Sequence, residues 1–299
     1  MRHVTFSALL VVATLGAGGR LALATPFEPG KMPDQVQAVG HLDVDALRRT
    51  QLFTAAGGQA AIDAALDEAP PKVRPIARAL VATLRGVSFW HTADHGAVYL
   101  QTRDAKALGQ LVAKLPATPG QPIDGFPTYT INDHDTTHFA GLYSDTLVVA
   151  DSEDGLQQSL HVLSGHAANL AGSKALPLSS RQGVFVFVAL GDHLLNSIQK
   201  TAHSKMLQLA LRSVVVDIGE SAGQLTATAH AEMRSADAVQ KATSILEGLR
   251  AMASLSDDAM AHTLVDAVTV TSNGNAVEVV ARLPVSAVAT VINQHHHAK

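Results

Sequence analysis

Leu84-Arg85-Gly86-Val87 and Leu211-Arg212-Ser213-Val214 begin two stretches that read alike, and that likeness decides the fold. Each opens a strand, a turn, a second strand and a helix, the first running to about Leu115 and the second to about Leu249. The offset of 127 residues also carries Gly96 onto Gly223, at the turn between the paired strands. Alternation of apolar and polar residues marks a half-buried strand, and apolar residues three and four apart mark a helix. Leu108, Leu111, Val112 and Leu115 give the first helix its stripe, behind Asp104 as its cap. Val239, Ala242, Leu246, Leu249 and Ala253 do the same for the second, predicted over Ala236–Ala253.

Working outward, Val36, Ala38, Gly40, Leu42 and Val44 alternate as a strand that runs into a short helix at Asp43–Leu47. Helical spacing follows at Gly58–Leu66 and Val73–Leu84, and strands at Thr128–Ile131, His138–Tyr143 and Thr146–Ala150 lead to a helix over Ser152–Leu163. In the second half, Gly183–Leu190 is a nearly continuous apolar run, the pattern of a strand buried on both faces. A helix is predicted over Asp192–Leu211. Asn273-Gly274 between alternating runs signals a two-residue hairpin, and Pro284 suits the first position of a last helix. Successive hairpins imply a mostly antiparallel sheet, and striped helices imply a layer packed on one of its faces. The expectation is an α+β chain of two tandem related domains, residues 25–164 and 181–294, joined by a linker at 165–180.

Residues 1–24 read as an export signal. Arg2 precedes the apolar or small-residue run Val4–Gly19, and Ala22-Leu23-Ala24 offers a small-residue cleavage site before Thr25. That run is too short to span a bilayer, which takes roughly 20 apolar residues, and no later segment is long enough. The chain has no cysteine, so disulfides, thiolate metal sites and cysteine nucleophiles are excluded. Losing Arg2 and Arg20 with the signal leaves 20 basic against 26 acidic residues, a net charge of −6. Nucleic acid is therefore not an expected partner, because the phosphate-neutralising residues are missing. Trp90 is the only tryptophan and aromatics are 4% of the chain, which argues against stacking platforms for sugars.

Four histidines supply the candidate metal ligands. His91 and His95 bracket one hairpin turn, His134 and His138 bracket another, and Asp94, Asp133 and Asp135 lie nearby. Imidazole with carboxylate suits a divalent transition metal, provided both turns lie at one end of the first domain. His295-His296-His297 forms a histidine-rich tail within 295–299 that reads as a polar terminus. Gly219-Glu220-Ser221-Ala222-Gly223 matches the letters of an esterase nucleophile elbow, but that motif needs a helix after the serine. Leu225, Ala227, Ala229 and Ala231 alternate with polar residues instead, so the segment reads as a hairpin turn. Asp43 and Asp45 read as a strand edge and helix start, and Asp257-Asp258 as a solvated loop.

The opening His41-Leu42-Asp43-Val44-Asp45-Ala46-Leu47-Arg48, the hairpins and Leu283-Pro284 before the last helix resemble a group of uncharacterised exported bacterial proteins. The resemblance implies a strand-to-helix opening followed by two related α/β halves, and it transfers no activity, cofactor or site. The expected function is a non-catalytic binding or scaffolding protein of the periplasm or extracellular space, with a protein or small molecule as partner. The alternative is a metal-binding protein or metal-dependent hydrolase using His91, His95, His134 and His138.

Overall fold

A computed structural model describes residues 26–71, 73–133, 136–173, 176, 183–192, 195, 210–256 and 259–297. The expected signal at 1–24, most of the helix expected from Asp192, Asp257-Asp258 and His134 lie outside these. The chain is α+β, with antiparallel strand pairing throughout the pairs described below, and it divides into two compact units between Lys174 and Ala175.

Unit 1 starts with β1 (Ala38–Asp43) and α1 (Val44–Arg48). Asp43 ends the strand and caps the helix, its carboxylate accepting from the Ala46 amide at 2.7 Å. Next come α2 (Gln51–Ala55), α3 (Gly58–Asp67) and α4 (Arg74–Thr83), where Ile62, Leu66 and Val81 form a small buried cluster. The hairpin β2 (Leu84–His91) and β3 (Gly96–Thr102) leads into α5 (Ala105–Val112), capped by Asp104. β4 (Ala117–Pro119) falls in a segment whose Pro and Gly content reads as loop. Then follow β5 (Thr128–Asp133), β6 (Thr136–Tyr143), β7 (Thr146–Ala150) and α6 (Glu153–Leu163). The sheet order within the unit is β1-β2-β3-β7-β6-β5-β4, so β7 inserts between β3 and β6.

Both faces of this sheet are covered. On one, Leu108 and Val112 of α5 pack with Val87, Leu100, Ala140 and Leu147. Gly141, the neighbour of Ala140, points the other way, and a Cβ there would come within 3.0 Å of Leu156 and Leu160 of α6. The helices of unit 1 therefore do not form the single layer expected from sequence: residues of both parities along its central strands are buried, and each face needs cover. Gly40 is required by a close approach, since a Cβ on it would meet the ring of Phe89, its cross-strand partner, at 2.1 Å. His41 faces Ser88 across the same pair and shares a buried 2.8 Å hydrogen bond with its hydroxyl. Part of the expected linker packs into this unit, with Leu170 fully buried and its amide donating to the Met32 carbonyl.

Unit 2 contains β8 (Val184–Gly191), β9 (Leu211–Ser221), β10 (Gln224–Met233), α7 (Ala236–Ala253), α8 (Ala259–Ala267), β11 (Val268–Asn273), β12 (Ala276–Pro284) and α9 (Val285–His297). Its strand order is β8-β9-β10-β12-β11. Element by element this matches β1-β2-β3-β7-β6, with the returning strand again inserted beside the hairpin. Burial along β8 alternates: Phe185, Phe187 and Ala189 are buried while the valines between them are half-buried. The continuous apolar run thus loads one face more than the other. Pro284 is the last residue of β12, paired with Gln224, and the helix begins one residue later. Helical backbone continues through His297, beyond the expected boundary at 294, because extending a formed helix costs little per residue.

Candidate functional site

The β2–β3 turn, Thr92 to His95, is closed by the Thr92 amide donating to the His95 carbonyl at 2.8 Å. The Thr92 hydroxyl oxygen accepts from the amides of Asp94 and His95 at 3.3 and 3.1 Å. Gly96 follows and lies beside the end of β7. There the carboxylate of Asp151 accepts from the Gly96 amide at 3.0 Å and from the Ser152 hydroxyl at 3.1 Å. Ser152 caps α6, its oxygen accepting from the Gly155 amide at 3.1 Å, and it lies 2.9 Å from His95 Nδ1. A hydroxyl has one proton to give and two lone pairs. With that proton directed to Asp151, the set closes when His95 carries its own proton on Nδ1 and donates it to Ser152.

Gly96 is closely packed, and a Cβ on it would lie 3.2 Å from the Trp90 carbonyl oxygen. It would also lie 3.3 Å from His91 Cδ2 and 3.4 Å from an Asp151 carboxylate oxygen. His91 Nδ1 is buried and has no hydrogen-bond partner among the described residues. The register extends the row: Ala150 pairs with Ala97 on one side and Phe139 on the other, which puts Gly96, Asp151 and His138 at the same end of the sheet. His91, His95 and His138 therefore lie at one end of the unit 1 sheet, while His134 falls outside the described residues. β7 separates β3 from β6, which spaces their backbones by about 10 Å. Among the described residues no group of three or more His, Asp or Glu side chains is placed to hold an ion.

Ser152, His95 and Asp151 are the residues of a catalytic triad without its wiring. The carboxylate hydrogen-bonds the serine rather than the imidazole, and the serine oxygen is committed to the helix cap. Ser221 is the last residue of β9, before a two-residue turn whose Ala222 and Gly223 both take positive φ, 50° and 74°. It is a hairpin residue, with no helix behind it.

Two further charged clusters escape a sequence reading. At the other end of the unit 1 sheet, Asp45 is wholly buried and faces three guanidiniums: Arg48 at 3.4 Å, Arg85 at 3.5 Å, and Arg103 in direct contact. Arg48 also donates to the carbonyls of Leu84 and Val81 at 2.7 and 2.8 Å, tying α1 to the end of α4 and the start of β2. Burial, then repulsion from Arg103, pulls the Arg48 pKa down to about 10, against the attraction of Asp45. Elsewhere Asp124, at φ 51° in the Ile123–Phe126 turn, takes 2.9 Å hydrogen bonds from His166 Nδ1 and the Ser164 hydroxyl, with His161 Nε2 3.7 Å away. The His166 bond, then the Ser164 bond, holds the Asp124 carboxyl below its ordinary range.

In unit 2, α7 buries Ala238, Val239 and Ala242 against Met233 and Val277. Its second half turns apolar side chains outward: Ile245 is 38% exposed, Leu249 54%, Met252 66% and Leu255, just past the helix end, 84%. Their spacing of four, three and three keeps them on one side. No described helix is long and apolar enough to cross a membrane.

No protein-family model matches the sequence, and no curated protein matches it significantly. Among solved structures, crystal form IV of TP0453 is similar with a TM-score of 0.53 at 8% identity, covering 90% of this chain and 97% of that one. Crystal form III gives 0.51 at 9% identity, covering 92% and 100%. At such identities the likeness is one of fold, extending over nearly the whole of both chains.

Proposed function

We propose that the chain is an exported, non-catalytic binding or scaffolding protein of the bacterial periplasm or cell envelope, built from two related α+β units. The observation that carries the binding role is the outward stripe of Ile245, Leu249, Met252 and Leu255. Contiguous exposed apolar side chains on a folded protein mark interaction surfaces, and the rest of α7 already satisfies its core. The relation between the units is supported by their matching strand orders, and export by the reading of residues 1–24. Immobilised mature protein should retain a specific partner from a cell-envelope extract. A Leu249→Glu/Met252→Glu variant with an unchanged circular dichroism spectrum should lose it. Equal capture by both proteins, or none by either, would overturn the reading.

Metal binding through His91, His95, His134 and His138 is the second reading, supported by the placement of His91, His95 and His138 at one end of the unit 1 sheet. Elemental analysis of mature chain purified without a metal column, intact and truncated after Gln294, tests it. Stoichiometric metal in both forms supports it, and metal absent or lost with the tail removes it.

A further inference from the structure

Corresponding arginines in the two units are balanced differently. The amide of Arg103, just after β3, donates to the Thr83 carbonyl at 2.9 Å, and that of Arg234, just after β10, donates to the Ala210 carbonyl at 2.8 Å. Arg85 and Arg212 are the second residues of β2 and β9. In unit 2 each arginine has its own carboxylate: Arg234 pairs with Asp192 at 3.1 Å and Arg212 with Glu232 at 3.5 Å. The place of Glu232, next to last in its strand and opposite Ser213, is taken in unit 1 by Gln101, opposite Gly86. Gln101 is 6% exposed and its side-chain oxygen is buried with no partner among the described residues.

Arg85 and Arg103 consequently converge on Asp45, which Arg48 also claims. Among the described residues neither has another acidic partner within 4.0 Å. Arg48 spends its donors on carbonyls inside the unit, whereas the side chains of Arg85 and Arg103 remain 31% and 30% exposed. Two carboxylates near in sequence, Asp43 and Asp104, accept the amides of Ala46 and Ala107 as helix caps.

We propose that Arg85 and Arg103 form a binding site for a phosphate group, replacing in unit 1 the carboxylate that Glu232 supplies in unit 2. Two guanidiniums held on one buried carboxylate keep their remaining N–H donors at the surface. Asp45 engages one nitrogen of each, and a doubly charged tetrahedral oxyanion accepts at once from the donors left over on both. The site lies in unit 1, apart from the apolar stripe, and stands or falls independently of the binding role assigned to α7.

Titration calorimetry of the mature chain tests this, with inorganic phosphate and glycerol phosphate as probes and chloride holding ionic strength constant. Saturable binding of one equivalent is expected, by inorganic phosphate for a free-ion site or by glycerol phosphate alone for an esterified one. Arg85→Gln should weaken it roughly tenfold or more, the scale of a lost charge-assisted hydrogen bond. Gln101→Glu, which restores the unit 2 arrangement without removing any contact, should do the same while the protein melts no lower than the parent. Arg212→Gln should leave binding unchanged. Heats equal to dilution with both probes, binding indifferent to both unit 1 substitutions, or equal weakening by Arg212→Gln would overturn the proposal.

Discussion

Trp90 Nε1 donates a 3.1 Å hydrogen bond to the hydroxyl of Tyr99, and both side chains are buried, at 1% and 0% exposure. The two sit diagonally across the β2–β3 pair, where long side chains reach one another. Burial pushes the Tyr99 hydroxyl up to about 12. Tyr99→Phe leaves the indole N–H unpartnered in the core and should cost about 1–3 kcal/mol. Urea unfolding followed by the fluorescence of Trp90, the only tryptophan, reads this directly. A lower midpoint at unchanged slope is expected, and an unmoved midpoint would show that the bond contributes nothing.

Asp45 holds three guanidiniums from inside the fold, so its charge matters more than its size. Asp45→Asn keeps the shape and removes the charge, leaving Arg48 buried without a counter-ion. A loss of about 3–5 kcal/mol is expected, the usual result of breaking a buried pair from one side. Thermal melting of the variant checks it; a melting temperature within error of the parent would mean the arginines find other partners.

The Asp124 carboxyl is held low chiefly by its His166 hydrogen bond. A depressed folded value means the stabilisation is present above the unfolded carboxylate pKa and is lost as pH falls through the folded one. A carbon-13 NMR titration should place Asp124 below the usual carboxylate range, and His166→Ala should raise it. If the titration curve ignores His166→Ala, the imidazole is a bystander.

Gly219 lies where β9 passes close to the start of β8: a Cβ there would come 2.6 Å from the Gly183 carbonyl oxygen, which is backbone and has no rotamer to retreat to. Gly219→Ala should cost about 1–3 kcal/mol, as overpacking does, whereas Ser221→Ala on an exposed hairpin should stay within about 0.5 kcal/mol. Chemical denaturation of the two variants separates them. Equal stability would mean that β8 shifts to accommodate the new methyl group.

Hairpins and caps were legible in the sequence because they are local. Asp104 caps where the pattern puts it, the helix expected from Ser152 begins one residue later with Ser152 as its cap, and Asn273 pairs with Ala276 across the Gly274 turn. The insertion of β7 between β3 and β6 was not legible, since no spacing encodes which non-adjacent edges meet. β4, α2 and α8 also went unread, being short or weakly patterned. The same boundary runs through the sites. His91 and His95 advertise themselves by bracketing a turn, but Ser152 reaches His95 from 57 residues away and Arg103 reaches Asp45 from 58. The sequence did carry one pointer to the arginine cluster, the arginine repeated in Leu84-Arg85 and Leu211-Arg212, whose meaning depends on partners that folding alone brings together.

β4 is three residues long, ends at Pro119, and is the outermost strand of its sheet. An outer strand offers a ladder of free amides and carbonyls to any passing extended chain, and proline deletes an amide from that ladder. With so short and broken a template, fibril growth by edge-to-edge addition has no foothold on that flank, which protects a chain that has no disulfide to hold it shut.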